Sequence, residues 1–179
     1  MNKPSVLVID GANFYAALMY RSTLDHRFKN KSDIAASFNY TNVLMNDMLP
    51  TNAKIHIVMK KIPDRNIWNY FNLLFRDILL KNQSLHYTLN VPINNNDRQC
   101  DDYLAVQLGI KNNATIITND NYRWLKHTSR LVTNYTEIDA KGANNLILID
   151  ASIDRTKMNF LRFKFDVISD TWVTNWFTY

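Results

Sequence analysis

The chain has 179 residues, 46% of them hydrophobic and 21% charged, the proportions of an ordinary globular domain, which exclude a fibrous or wholly disordered polypeptide. That length predicts a single domain, residues 1–179, with one substantial core. The formal net charge of +5 favours a polyanionic partner, although the excess is modest and spread along the chain.

Cys100 is the only cysteine, which excludes an internal disulfide and a cysteine-rich zinc site and favours an intracellular, cytoplasmic setting. The first hydrophobic run stops at Asp10, unlike a secretory leader. No stretch approaches the roughly 20 apolar residues that span a bilayer, so no membrane role is expected. His26, His56, His86 and His127 are dispersed without metal-ligand spacing, and each reads as a surface or satisfied core histidine.

In chain order, Val6 to Ile9 reads as a short apolar strand of the kind covered on both faces in parallel sheets. Gly11 allows a sharp turn, and Asn13 can cap a helix through Phe14, Leu18 and Met19. After a polar segment, Ser32 can cap a second helix with Ile34, Ala35, Phe38, Val43, Leu44 and Met48, closed by Pro50. Ile55, Ile57 and Met59 form a second strand ending at Lys60-Lys61. Asp64 can cap a strong helix, with Ile67, Trp68, Phe71, Leu74, Phe75, Ile78 and Leu79 at spacings of three and four. A third strand around Leu85 to Leu89 leads into a polar, mobile loop at 94–98. Leu104, Ala105, Leu108 and, more loosely, Val106 give the buried side of a helix that opens on Asp101-Asp102. Ala114 to Thr118 is a fourth strand, followed by Asn119-Asp120.

The alternation of strand and helix predicts an α/β fold around a parallel, doubly wound sheet, whose ligands collect at strand carboxyl ends. In the last third, Leu146 to Ile149 reads as a fifth buried strand ending at Asp150. Leu161, Phe163, Phe165 and Val167 alternate with Arg162, Lys164 and Asp166, the pattern of a half-exposed edge strand. Trp172, Trp176, Phe177 and Tyr179 suit a terminus docked on the body or, second, a homo-oligomer contact.

Asp10 and Asp120 thus end two strands, with Asp101 and Asp102 at a helix start between them. Each alone is accounted for by capping, by the favoured acidic first turn, or by a turn. Together they form a convergent oxygen-donor set suited to magnesium, which takes a few carboxylates and keeps several waters. Such an ion activates water and offsets phosphate charge, so phosphodiester hydrolysis is the natural reaction class.

At these residues the chain resembles the NYN branch of the PIN-like ribonucleases, which includes the Regnase (MCPIP) endoribonucleases. Val8-Ile9-Asp10-Gly11-Ala12-Asn13 is similar to that family's first-strand motif, and Asp101-Asp102-Tyr103 to its paired-aspartate helix start. Ile116-Ile117-Thr118-Asn119-Asp120-Asn121-Tyr122-Arg123 is similar to its fourth-strand motif. The resemblance spans roughly Val6 to Leu125, and residues 130–179 follow it least closely. It implies a PIN-like three-layer α/β/α fold with a central, mostly parallel sheet and a C-terminal edge-strand extension. It further implies endonucleolytic cleavage of RNA with Mg2+ or Mn2+. By position, Asp10, Asp102 and Asp120 would be the metal-binding acids, with Asp101 alongside and Asn13 orienting the site. Trp124 stands where Regnase-like members carry a further aspartate, and Asp150 is the candidate to compensate.

Lys60, Lys61, Arg65, Arg98, Arg123 and Lys126 are candidates for an RNA phosphate rim, although any one suits an ordinary solvated surface. Tyr103, Tyr122 and Trp124 are candidate base platforms or, more commonly for such residues, packing groups. Two alternatives accompany the endoribonuclease expectation: a PIN-like RNA-binding protein with weakened catalysis, favoured by Trp124, and a structure-specific DNA nuclease. A dinucleotide site fits poorly because the Asp10-Gly11-Ala12-Asn13 turn has one glycine. An aspartyl phosphatase would want an acid at Ala12.

Overall fold

β1 (Val6–Asp10) is the centre of the molecule, with Leu7, Val8 and Ile9 fully buried. The structure is a computed structural model that describes residues 6–13, 53–60, 86–93, 98–126, 129–139, 141–166 and 171–177. β1 pairs with β2 (Lys54–Val58) on one side and with β4 (Thr115–Ile117) on the other, both in parallel. β3 (His86–Pro92) adds to β2 in parallel, and β7 (Asn159–Asp166) to β4 in parallel. Two antiparallel flanks complete the sheet: β5 (Ser129–Asp139) with β6 (Asn144–Ile153) beyond β3, and β8 (Thr171–Phe177) beyond β7.

Among the described residues the result is an α/β arrangement around one mixed, mostly parallel sheet of eight strands in the order β6-β5-β3-β2-β1-β4-β7-β8. Strand order reverses between β1 and β4. At such a switch point the connections leave in opposite directions, opening a crevice at the strand carboxyl ends. No helix among the described residues is long and apolar enough to cross a membrane.

α1 (Cys100–Lys111) packs over β1, β4 and the β5–β6 hairpin. Leu104, Ala105 and Leu108 join Val8, Ile116, Tyr135, Ile149 and Phe160 in one core. The helix starts with Asp101 and Asp102 in its first turn and ends with Lys111 in its last, matching both ends of its dipole. A Schellman motif stops it: Asn113 adopts the left-handed conformation, its N–H reaches Ile110 O, and Ala114 N–H reaches Gly109 O. The chain then enters β4 with Gly109 lying so close to Ile116 that an added Cβ would meet its side chain at 2.6 Å.

Two expectations for the last third are reversed. Leu146 to Ile149 is not a buried fifth strand: it lies in β6, an edge of the sheet, with Leu146 75% and Leu148 58% exposed, while Ile149 turns into the core. The fifth parallel strand is β7, whose Phe160, Leu161 and Phe163 are buried between β4 and β8. Burial of the adjacent Phe160 and Leu161, which point to opposite faces, shows that both sides of β7 are covered. β5 has no counterpart among the expected strands. The aromatic C-terminal segment enters the sheet as β8, paired along Thr171–Phe177. The expected helices at 14–19, 32–48 and 64–79 and the loop at 94–97 lie outside the described residues, as do Lys61 and Arg65.

Candidate metal and nucleic-acid site

β1 delivers Asp10 to the switch point, where it is only 5% exposed. Its Oδ1 accepts the Asn13 N–H at 3.1 Å. Its Oδ2 accepts two hydroxyls, from Thr118 at 2.8 Å and Tyr122 at 3.1 Å. Burial raises the Asp10 pKa, these three donors oppose the rise, and the neighbouring Asp101 charge adds to it. The turn out of β1 is tight: a Cβ on Gly11 would lie 2.7 Å from Val58 O and closer still to Met59 Sδ. Only glycine lets the chain pass β2 at that distance.

The segment after β4 is fixed side chain by side chain. Asn119 N–H donates to Asn13 Oδ1 at 2.8 Å, fastening the loop to the exit of β1. Asn119 Oδ1 accepts the Phe163 N–H at 3.0 Å, fastening it to β7. Asn121 Oδ1 accepts from the Arg162 guanidinium. Asp120 N–H donates to Thr118 Oγ1 at 3.0 Å, and Asp120 Oδ1 accepts the Tyr122 N–H at 3.0 Å. Tyr122 takes a left-handed backbone, φ 39°, uncommon for a bulky residue, and its ring is buried.

The first turn of α1 supplies Asp101 and Asp102, both half-buried. Asp102 has a pKa pushed up to about 8, first by burial and then by repulsion from Asp10, Asp101 and Asp120, with Lys60 working against the rise. Asp102 therefore feels the charges of the other three acids, and Asp10 that of Asp101. Lys60, just past β2, also donates from Nζ to Arg98 O at 3.2 Å, which ties this cation to the approach to α1.

No family model, curated protein or solved structure matches the chain. The chemistry of the site therefore rests on its donors. Among the described residues no three His, Cys, Asp or Glu side chains stand close enough to hold one ion. A three-carboxylate cage is not what magnesium requires, since it commonly takes one or two carboxylates, waters and substrate phosphates. The hard oxygen donors of Asp10, Asp102 and Asp120, of which Asp102 is repelled by the other two, suit such a cation.

The structure thus gathers Asp10, Asn13, Asp101, Asp102, Asp120 and Lys60. Arg98 and Arg123 are exposed nearby in the chain, and Lys126 lies in the 3-10 turn Arg123–Lys126. Asp150 is not part of the group, which corrects its assignment as a compensating ligand. It stands on β6, four strand positions from β1, with its carboxylate bonded to the Arg130 guanidinium. Tyr122 is likewise no base platform, because its ring is inside. Trp124 is half-buried and packs edge-on against Tyr103 at 4.6 Å, with its Nε1 lacking a partner.

The sequence reading missed what Thr118, Asn119 and Tyr122 do. A signal was present for Thr118: a hydroxyl directly after the buried Ile116-Ile117 pair needs a buried partner. Nothing in the local pattern announced that the Tyr122 phenol would reach back to Asp10.

Proposed function

We propose that the chain is a metal-dependent endoribonuclease of the PIN-like type, with an α/β/α arrangement, hydrolysing phosphodiester bonds in single-stranded or loop RNA. The observation that carries this reading is the placement of Asp10 at the β1–β4 switch point, where open α/β sheets bind ligands, with the Asp120 loop fastened to the exit of β1 by the Asn13–Asn119 bond. When bound there, magnesium or manganese supplies a nucleophilic water of lowered pKa and offsets charge building on the phosphate.

The protein's own groups have separable tasks. Asp10 is a fixed carboxylate, immobilised by three donors. The Asn13–Asn119 bond sets the distance between the β1 and β4 exits, and hence between Asp10 and Asp120. Lys60, beside Asp102, attracts a phosphate into the acidic crevice and reduces its repulsion, with Arg98 and Arg123 extending that field. A single, buried cysteine, Cys100, fits a reducing, intracellular setting.

A second reading, RNA binding with weakened catalysis, is favoured by Trp124, which fills a position near the site with an aromatic ring instead of a carboxylate. The deciding experiment is cleavage of labelled single-stranded and stem-loop RNA, with DNA counterparts, in magnesium, manganese or EDTA. Metal-dependent RNA cleavage that vanishes in Asp10→Asn and Asp120→Asn is the expected result. RNA that is bound but uncut in every metal supports the second reading, with Trp124→Asp the next variant. Cutting of DNA alone moves the substrate class, and neither binding nor cutting sinks both readings.

A further inference from the structure

A carboxylate offers about four lone-pair positions, roughly two on each oxygen. Asp10 has three of its positions occupied: one on Oδ1 by the Asn13 N–H and two on Oδ2 by the Thr118 and Tyr122 hydroxyls. Oδ2 is therefore full, and the remaining position is on Oδ1. We propose that Tyr122 is a positioning residue that selects magnesium over calcium, by closing Oδ2 and holding Asp10 to one-point coordination; this rests on the nuclease reading.

The chemistry follows from the two ions. Magnesium demands a compact octahedron and is served by single oxygens, whereas calcium takes six to eight oxygens and accepts both oxygens of one carboxylate. A carboxylate with one oxygen closed suits the first and handicaps the second. Thr118 alone would leave a position open on Oδ2, so the phenol makes the difference.

Tyr122 is built to stay where it is. Its side chain is 1% exposed and its ring lies against Phe160 at 5.7 Å and Trp124 at 6.0 Å. The Asp120 carboxylate holds its backbone N–H. A phenol is protonated at neutral pH, and this one donates to Asp10 Oδ2. Being buried, it cannot reach bulk substrate, and its influence must pass through Asp10.

The test is thermal denaturation of the full chain titrated with magnesium, manganese or calcium chloride at fixed ionic strength, comparing the native chain with Tyr122→Phe and Thr118→Val. Magnesium should stabilise the native chain at lower concentration than calcium. In Tyr122→Phe the ratio of calcium to magnesium dissociation constants should fall by about tenfold, the scale of effects from groups that orient metal ligands. Thr118→Val, which removes the other donor to the same oxygen, should shift the ratio in the same direction, and it carries the test if Tyr122→Phe does not fold. Magnesium-supported cleavage should lose kcat while KM for RNA holds. If ions stabilise the native chain and both variants keep its ratio, the role of Tyr122 is refuted while the metal reading stands. If millimolar ions leave the native chain unaffected, the metal reading fails and this inference falls with it.

Discussion

Val6-Leu7-Val8-Ile9-Asp10 and Leu146-Ile147-Leu148-Ile149-Asp150 are nearly the same sentence in residue types: four branched aliphatics and an aspartate. One is the central strand of the sheet with Leu7, Val8 and Ile9 fully buried; the other sits on the edge with Leu146 and Leu148 exposed. Their aspartates diverge accordingly. Asp10 is enclosed and satisfied by one N–H and two hydroxyls, whereas Asp150 is exposed and bonded to Arg130 across the hairpin. An apolar run specifies a strand, but the neighbours it acquires decide whether its terminal acid is confined or solvated.

Removing each acid should give the widest separation. Under the nuclease reading, Asp10→Asn forfeits several kcal/mol of transition-state stabilisation, which at about 1.4 kcal/mol per tenfold is a loss on the order of a thousandfold in cleavage rate. Asp150→Asn should cleave like the native chain. Equal loss in both variants would break the distinction between the two strands.

The aliphatic residues provide the next contrast. Leu7→Ala should cost about 2–5 kcal/mol in urea denaturation, while Leu148→Ala, on an exposed face, should stay within about 0.5 kcal/mol. Comparable costs would mean that the edge is covered in solution.

Acid should separate the centre from the edge as well. His56 on β2 is buried, with Nδ1 2.7 Å from Thr88 Oγ1 and 2.8 Å from Asn90 Nδ2. Burial first and the Lys54 charge second lower its pKa from 6.5 to about 4, with the Asn90 bond opposing. The folded chain keeps it neutral while the unfolded chain takes up a proton near pH 6.5. Its contribution is thus complete above pH 6.5 and is lost as the pH falls towards 4, reaching about 3 kcal/mol at 1.36 kcal/mol per unit. Denaturation midpoints measured across that window should fall for the native chain, and His56→Asn should flatten the slope.

Two glycines yield the smallest pair of effects. Gly11→Ala drives a methyl into Val58 O and Met59, an overpacking that should cost about 1–3 kcal/mol. Gly142, in the β5–β6 turn, has open space for a methyl but a φ of 87°, so Gly142→Ala should cost about 1 kcal/mol of backbone strain. Chemical denaturation of both variants checks the order.

Legibility in the sequence followed the same divide. β1 and α1 were readable because burial on both faces leaves an unbroken aliphatic run in the strand and a helix leaves spacings of three and four. β7 was misread because Arg162 and Lys164 imitate the polar side of an edge strand, although Arg162 in fact reaches Asn121. β5 was missed since Ser129–Asp139 buries little besides Tyr135 and spends its inward positions on polar residues such as Thr133, which bonds Gln107. At the site, the acids were visible as residue types at strand and helix ends. The Thr118 and Tyr122 bonds to Asp10 were not, because they depend on which strands become neighbours.

The bonds that hold Asp10 to Thr118 and Tyr122 join residues 108 and 112 apart, and the Asn13–Asn119 bond joins residues 106 apart. Closing loops of that length costs chain entropy before any contact offsets it, and such distant contacts form slowly. Asn119 waits further for the backbone of Phe163. A chain synthesised through Tyr122 but not yet through β7 carries every carboxylate of the site and each partner of Asp10, yet lacks the strand that covers β4 and holds Asn119. The site is the last part of the loop to be fastened.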